Sequence, residues 1–287
     1  MTEISQEQLD SFRAVRYCSR PDLRIQSRDQ AIEFVNQRHI VFLYATPGVQ
    51  LPSLWTAVSG DRPVSPKHDD PGQIIWDWKD RLLGARVWYY AKILRQRSTI
   101  LSMQALPYFY ALSPNYGDPE IDFLEQYEQG LLPMEARLVF ETLLRDGALD
   151  SITLRKNAHL TSSESNPRFN KALEILQQRF MLLPTGIAET GAWRYSFIYD
   201  LTHRYYPDLL EKAREISEYD ARRWIIARYL ENAGAASEKE MQRIFSWRPQ
   251  DLQHTLASLV QREEIFADIE MQGRKDHLYA AKTLISA

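Results

Sequence analysis

Within five residues, Trp76-Asp77-Trp78-Lys79-Asp80 sets two carboxylates, one amine and two indoles side by side. A carboxylate pressed against tryptophan loses solvation, its pKa rises, and it can then exchange a proton near neutral pH. Asp77 and Asp80 are therefore the carboxylate candidates for acid–base catalysis. If the run is extended, Asp77 and Lys79 share one face, with Trp76, Trp78 and Asp80 on the other. The plainer reading is a salt-bridged turn with packed rings. His68-Asp69-Asp70 offers metal-ligating types in a row, yet no second cluster of suitable spacing accompanies it, so capping of a loop is the better expectation. None of the six histidines stands four residues from another. The single cysteine, Cys18, cannot build a thiolate site, and neither a phosphate-binding glycine loop nor a nucleophile elbow occurs. No metal and no small-molecule cofactor is expected.

Charge is unevenly spread. Residues 81–117 contain no Asp or Glu but carry Arg81, Arg86, Lys92, Arg95 and Arg97 among Trp88, Tyr89, Tyr90, Tyr108, Phe109 and Tyr110. Cations interleaved with rings can hold phosphates and stack bases. The alternative is that the rings are core and the cations a solvated rim. In residues 118–150 the balance reverses, with nine acids against Arg137 and Arg145. That acidic run leaves a protein-interaction scaffold open as a reading.

The whole chain holds 35 Lys and Arg against 38 Asp and Glu in 287 residues, a net charge of −3. A surface that coats nucleic acid everywhere is excluded, so DNA contacts must come from local patches. With 44% hydrophobic residues the composition also excludes disordered and disulfide-stapled classes. One cysteine, and a start without a basic, apolar leader, point to a reducing cytoplasmic setting. The longest apolar run, residues 40–45, is far short of the ~20 residues of a membrane span.

The periodicity predicts a mainly α protein with small β-hairpins. Residues 1–28 read as a polar helical arm. Three further domains follow: 29–131, which is less regular and carries the aromatic and basic insert; 132–210; and 211–287. The prolines of residues 61–72 and 113–119 mark loops. In the 132–210 domain, Pro133 opens a helix with Met134, Leu138, Val139, Thr142 and Leu143 on its buried stripe, and Gly147 ends it. Ser151 caps a second helix, and Asn166-Pro167 starts a third that buries Phe169, Leu173 and Leu176. A hairpin from Phe180 to Tyr199, including Trp193, closes the unit. The last domain repeats the plan. Ser217 caps a helix that stops at Gly234, Ser237 with Glu240 forms a capping box, and Trp247-Arg248-Pro249 turns into a third helix. A hairpin with its tip at Gln272-Gly273-Arg274-Lys275 ends it. Three helices and a hairpin make the winged-helix plan, in which the third helix commonly enters the DNA major groove. Arg168 and Lys171 on the third helix, and Arg274 and Lys275 at the last tip, join the basic stretch as candidate DNA contacts. Such modules also dock proteins.

Tyr199-Asp200-Leu201-Thr202-His203-Arg204 with Pro207, following the helix of Asn170-Lys171-Ala172-Leu173-Glu174-Ile175-Leu176 and leading into Ala221-Arg222-Arg223, resembles the YcaQ/AlkZ-type bacterial DNA glycosylases. The likeness runs over residues 130–275, and more loosely over 28–110. It implies tandem winged-helix domains around a concave channel for double-stranded DNA, including alkylated or crosslinked DNA. It also implies hydrolysis of the bond between an N7-alkylated purine and deoxyribose. The family orients water through a Gln, an apolar residue and then Gln or Asp, ahead of Leu-Trp. The matching stretch is Gly48-Val49-Gln50-Leu51-Pro52-Ser53-Leu54-Trp55. Gln50 takes the first position as a catalytic candidate, whereas Pro52 has no side-chain acceptor for the second. The non-catalytic alternatives are a DNA-binding regulator or lesion sensor. If Gln50 is not catalytic, it is expected as a loop amide bonded to backbone.

Overall fold

The computed structural model describes residues 3–115, 117–191 and 194–286. One order of elements recurs three times: a helix, a short strand, two more helices and an antiparallel hairpin. In the first unit these are Arg28–Arg38, Ile40–Phe42, Leu54–Ser59, Ile74–Leu82, and Trp88–Lys92 paired with Ser98–Ser102. The second has Met134–Asp146, Leu149–Asp150, Ser151–Asn157, Ser165–Gln178, and Leu182–Ala188 paired with Ser196–Leu201. The third has Glu218–Ala233, Ala235–Ala236, Glu238–Phe245, Pro249–Gln261, and Ile265–Met271 paired with Leu278–Ala281. In each unit the short strand pairs with the last strand, so the sheet order is first, third, second.

Local signals account for most of these boundaries. Ser27 and Ser237 close reciprocal capping boxes with Gln30 and Glu240, which satisfies helix-end donors that would otherwise lack partners. Gly147 and Gly234 end two of the leading helices at φ of 86° and 76°, a conformation that strains any residue bearing a Cβ. A few ends differ from expectation. Pro133 is the residue before the helix, and Met134, expected on the buried stripe, is 48% exposed. Asp150 rather than Ser151 caps the next helix, accepting from the amides of Ile152 and Thr153. The third helix of the second unit starts at Ser165, one residue ahead of Asn166-Pro167. Trp193, expected in the second-unit hairpin, and Tyr116, expected in the 113–119 loop, lie outside the described residues.

Residues 1–28 are more than a helical arm. Glu3–Ile4 adds a parallel strand to Glu270–Met271 of the third unit's sheet. Arg13, on the helix Gln6–Arg16, donates from Nε to the carbonyl of Ala233 at 2.8 Å. Ile4 and Leu9 are thereby part of the third unit's packing, whereas Ile25 joins the first unit's core and donates its amide to the Ala57 carbonyl at 3.0 Å.

The first unit's sheet is buried on both faces. Strand side chains alternate sides, so Trp88, Tyr90, Val41 and Ile100 pack with Phe34, Trp55 and Trp78 of their own unit. Tyr89, Phe42 and Leu101 point the other way, into a core shared with Phe109, Tyr110 and Phe180 and with Ile225, Leu230 and Leu256 of the third unit. The second unit closes a core of its own around Phe140, Leu143, Phe169, Leu176 and Leu201. No described helix is long and apolar enough to cross a membrane.

Candidate nucleic-acid interface

The Trp76–Asp80 run is helical, not extended, because Ile75, Trp78 and Leu82 bury at helical spacing within Ile74–Leu82. That places Trp76, Lys79 and Asp80 together and turns Asp77 outward, where its carboxylate meets Arg81 at 2.7 Å in solvent. Lys79 has a wholly buried side chain whose Nζ lies 2.6 Å from Asp80 Oδ1. The same amine donates to the Tyr195 hydroxyl at 3.0 Å, and that hydroxyl donates to Asp80 Oδ1 at 3.0 Å. The Trp76 ring centroid is 3.9 Å from Nζ and that of Phe197 is 4.7 Å away. Burial pushes the Lys79 pKa down while Asp80 opposes the shift, and burial followed by the Asp80 charge pushes Tyr195 up. This cluster ties the first unit's third helix to the second unit's hairpin. Asp80 Oδ1 is already taken by two donors, so the expected catalytic carboxylate serves as a tie between units. His68-Asp69-Asp70 likewise ends in a structural role. Asp70 accepts from the Gly72 amide at 2.8 Å and pairs with Arg62 at 2.6 Å.

Gln50 shares no hydrogen bond with either carboxylate among the described residues. It lies in the loop between Ile40–Phe42 and Leu54–Ser59, flanked by the core residues Val49 and Leu51. Pro52 is buried and its carbonyl accepts from the Phe42 amide at 2.9 Å, while Ser53 caps the following helix. The half-buried Gln50 amide has no hydrogen-bond partner among the described residues. The expectation of a backbone-bonded loop amide is therefore not met. At Gly48, a Cβ would stand 3.6 Å from Arg243 Nη1, so this loop borders the third unit.

Beside it, the three units meet around a cleft of about 600 Å³. The tip of the first hairpin (Ile93, Leu94, Arg95, Gln96), the segment Leu112–Pro114, Gln178 and Phe180 of the second unit, and residues 243–247 of the third line it. Phe109 and Phe180 form its floor, and Phe245 and Trp247 stack at 4.9 Å on one wall. Arg95 donates from Nη1 to the Arg243 carbonyl at 3.0 Å, which fixes one guanidinium at the mouth. Arg243 itself has no side-chain partner among the described residues. No carboxylate belongs to the lining. Four lining residues other than glycine are left-handed: Arg95, Gln96, Phe180 and Ser246 have φ of 52°, 59°, 56° and 55°. Phe180 and Ser246 follow helix ends, where such a turn closes the helix. At the hairpin tip, successive left-handed residues usually mean Asn-Gly. Arg95 and Gln96 occupy those positions at a backbone cost of about 1–2 kcal/mol each.

The expected DNA-contacting cations divide into open and neutralised ones. Arg81 is paired with Asp77, Lys92 with Glu174 at 2.9 Å, and Arg168 with Glu135 at 3.2 Å. Lys171 lies 3.9 Å from Glu174, and Arg274 is held by Glu240 and Asp276 at 3.1 and 2.8 Å. Arg86 sits over the Tyr205 ring at 4.6 Å, beside a second, smaller cleft with Lys212. Arg95, Arg97 and Lys275 are exposed and form no ion pair among the described residues. Of these, Arg95 and the unforeseen Arg243 converge at the cleft. The signal for the wall was present as Phe245-Ser246-Trp247-Arg248, where two rings and a cation precede a proline-started helix.

The stretch Tyr199–Arg204 is a junction. Asp200 binds Arg204, whose Nη2 also donates to the Leu143 carbonyl at 3.0 Å. Tyr205 and Tyr206 then donate to the carbonyls of Leu83 and Trp88, each at 3.1 Å. These bonds join the second unit to the first.

A family model described as AlkZ related matches residues 25–246. Among solved structures, a DNA glycosylase AlkZ from Streptomyces sahachiroi superposes with a TM-score of 0.61 at 14% identity, over 99% of this chain and 72% of that one. At such identity the likeness concerns the fold. No curated protein sequence matches.

Proposed function

Because the chain belongs to the AlkZ-related family, we propose that it is a glycosylase-like repair protein that binds double-stranded DNA where Arg95, Arg243 and the Gln50 loop come together, with the exposed Arg97 two residues beyond Arg95. The three units then read as tandem winged helices, 29–131, 132–210 and 211–287, preceded by an arm, 1–28, whose Ile4 and Leu9 pack on the last, and each hairpin is a wing. The open guanidinia supply phosphate contacts, and the carboxylate-free cleft leaves that face positive although the whole chain is slightly acidic.

The proposed reaction is hydrolysis of an N7-alkylated purine from deoxyribose. Such a base is already cationic and leaves readily, so the protein needs mainly to place a water and support the positive charge growing on the sugar. An amide oxygen aimed at that charge helps through its dipole. The observation that carries the reading is the Gln50 amide, without a partner among the described residues, in a loop whose Gly48 lies against Arg243 of the cationic cleft. The test is release of 7-methylguanine from methylated DNA. Gln50→Ala is expected to lower the rate about 100-fold or more, in the range of one lost oriented group. Release that is unaffected by Gln50→Ala removes the role of this residue.

A second reading is lesion binding without hydrolysis. It is favoured by Pro52, which is buried and offers no side-chain acceptor, and by the engagement of Asp80 with Lys79 and Tyr195. Absence of base release by a protein that still binds alkylated duplex selects it.

A further inference from the structure

We propose that the cleft between the three units is a pocket for one neutral, unpaired nucleotide drawn out of a duplex. The inference rests on the DNA-binding reading above and names what that face takes in. At about 600 Å³ the cleft lies within the ~300–1,000 Å³ of sites that enclose small ligands.

Its lining sorts into the parts a nucleotide requires. The half-buried Trp247, stacked on the buried Phe245, offers ring surface to a base, and the edges of the buried Phe109 and Phe180 lie in the same lining. Arg95 and Arg243 stand at the mouth with no carboxylate opposing them, which suits a phosphate. Gln96 and Gln178 line the same space, and their amides have no partner among the described residues. Each amide offers a donor and an acceptor for a base edge. An extruded base is paid for by lost stacking and pairing, and a mismatched base costs least to extrude.

The charge of the pocket decides which bases enter. An N7-alkylated purine is cationic, and two guanidinia without a carboxylate disfavour it relative to an uncharged base. The cleft thus takes a neutral base, such as the partner nucleotide across from a lesion, while the Gln50 loop borders it outside.

The experiment uses the full chain and a duplex carrying 5-iodo-2′-deoxyuridine in a mismatch, irradiated to crosslink it to neighbouring rings. The crosslink is expected to map to Trp247, the one partly exposed ring of the lining, and the mismatched duplex to bind about 10- to 100-fold more tightly than the paired one, the worth of one base–ring stack. Gln178→Trp fills the cleft and is expected to lower the crosslink yield about 10-fold. Arg243→Ala, at an exposed position that does not threaten folding, is expected to lower the mismatch preference. Duplex binding with crosslinks elsewhere, or with no mismatch preference, overturns the pocket and leaves DNA binding standing. A wild-type protein that binds no duplex overturns both. Tighter binding of 7-methylguanine than of guanine at the same mismatch overturns the requirement for a neutral base.

Discussion

The salt dependence of DNA binding separates the open guanidinia from the neutralised ones, and its size follows from the geometry. Each phosphate neutralised on duplex DNA contributes about −0.9 to the slope of log K against log salt. Arg95, Arg97 and Arg243 have no carboxylate partner among the described residues. If each meets one phosphate, the slope is about −2.7, and affinity falls about 40-fold between 50 and 200 mM salt. With Arg95→Ala and Arg243→Ala together the slope shrinks to about −0.9, and the same salt step costs only about 3- to 4-fold. Arg168 and Lys171 form the internal comparison. Arg168 is 3.2 Å from Glu135, and Lys171 lies 3.9 Å from a Glu174 carboxylate that Lys92 also holds. A phosphate there must displace or face an existing carboxylate, so Arg168→Ala with Lys171→Ala changes the slope by less than about 0.5. The assay is fluorescence anisotropy of a labelled duplex at four or five salt concentrations, repeated with a scrambled sequence, because phosphate contacts act alike on both. An unchanged slope in the Arg95/Arg243 double variant, or a larger change in the Arg168/Lys171 variant, refutes the assignment of the positive face.

The tie between the first two units responds unequally to loss of its members. Asp80→Asn leaves Lys79 buried without a counter-charge and is expected to cost about 3–5 kcal/mol. Lys79→Met leaves an Asp80 that is 19% exposed and still bonded to Tyr195, so the loss is about 1–2 kcal/mol. Urea midpoints check the order, and equal losses contradict it. His39 supplies a pH test. Its ring bonds Ser102 at 3.0 Å, and burial, then the charges of Arg228, Arg16 and Arg38, hold its pKa at about 4 instead of 6.5. The unfolded chain therefore takes up the proton first, and stability contributed by neutral His39 falls as pH drops from about 6.5 to about 4. His39→Asn, which tolerates the left-handed backbone at this position, should flatten that part of the pH profile in paired urea titrations at pH 7 and 4.5. A profile identical to that of the parent argues against His39 as the titrating group.

Local chemistry was legible in the order of residues. Ser217, Ser237 with Glu240, Gly147 and Gly234 act as helix signals over a few neighbours, so they read correctly without the rest of the fold. The helix-helix-helix-hairpin plan of the last two units was readable for the same reason. The first unit was harder to read, because its sheet is buried on both faces and Trp88, Tyr89 and Tyr90 lose the alternation that usually marks a strand. The Trp76–Asp80 run misled because five residues with two aromatics fit either period, and only packing of Ile75, Trp78 and Leu82 made it a helix.

What the candidate site contains was decided in three dimensions. A list of cations cannot say which are free, since Arg81, Arg168 and Arg274 find their carboxylates through helix turns, a neighbouring helix or a hairpin tip. Nor can sequence spacing foresee that Arg95 and Arg243, 148 residues apart, share a hydrogen bond at one mouth. Residue types and helix ends are properties of short segments, whereas ion pairing, burial of Lys79 and the shape of the cleft arise only when distant segments exclude water together.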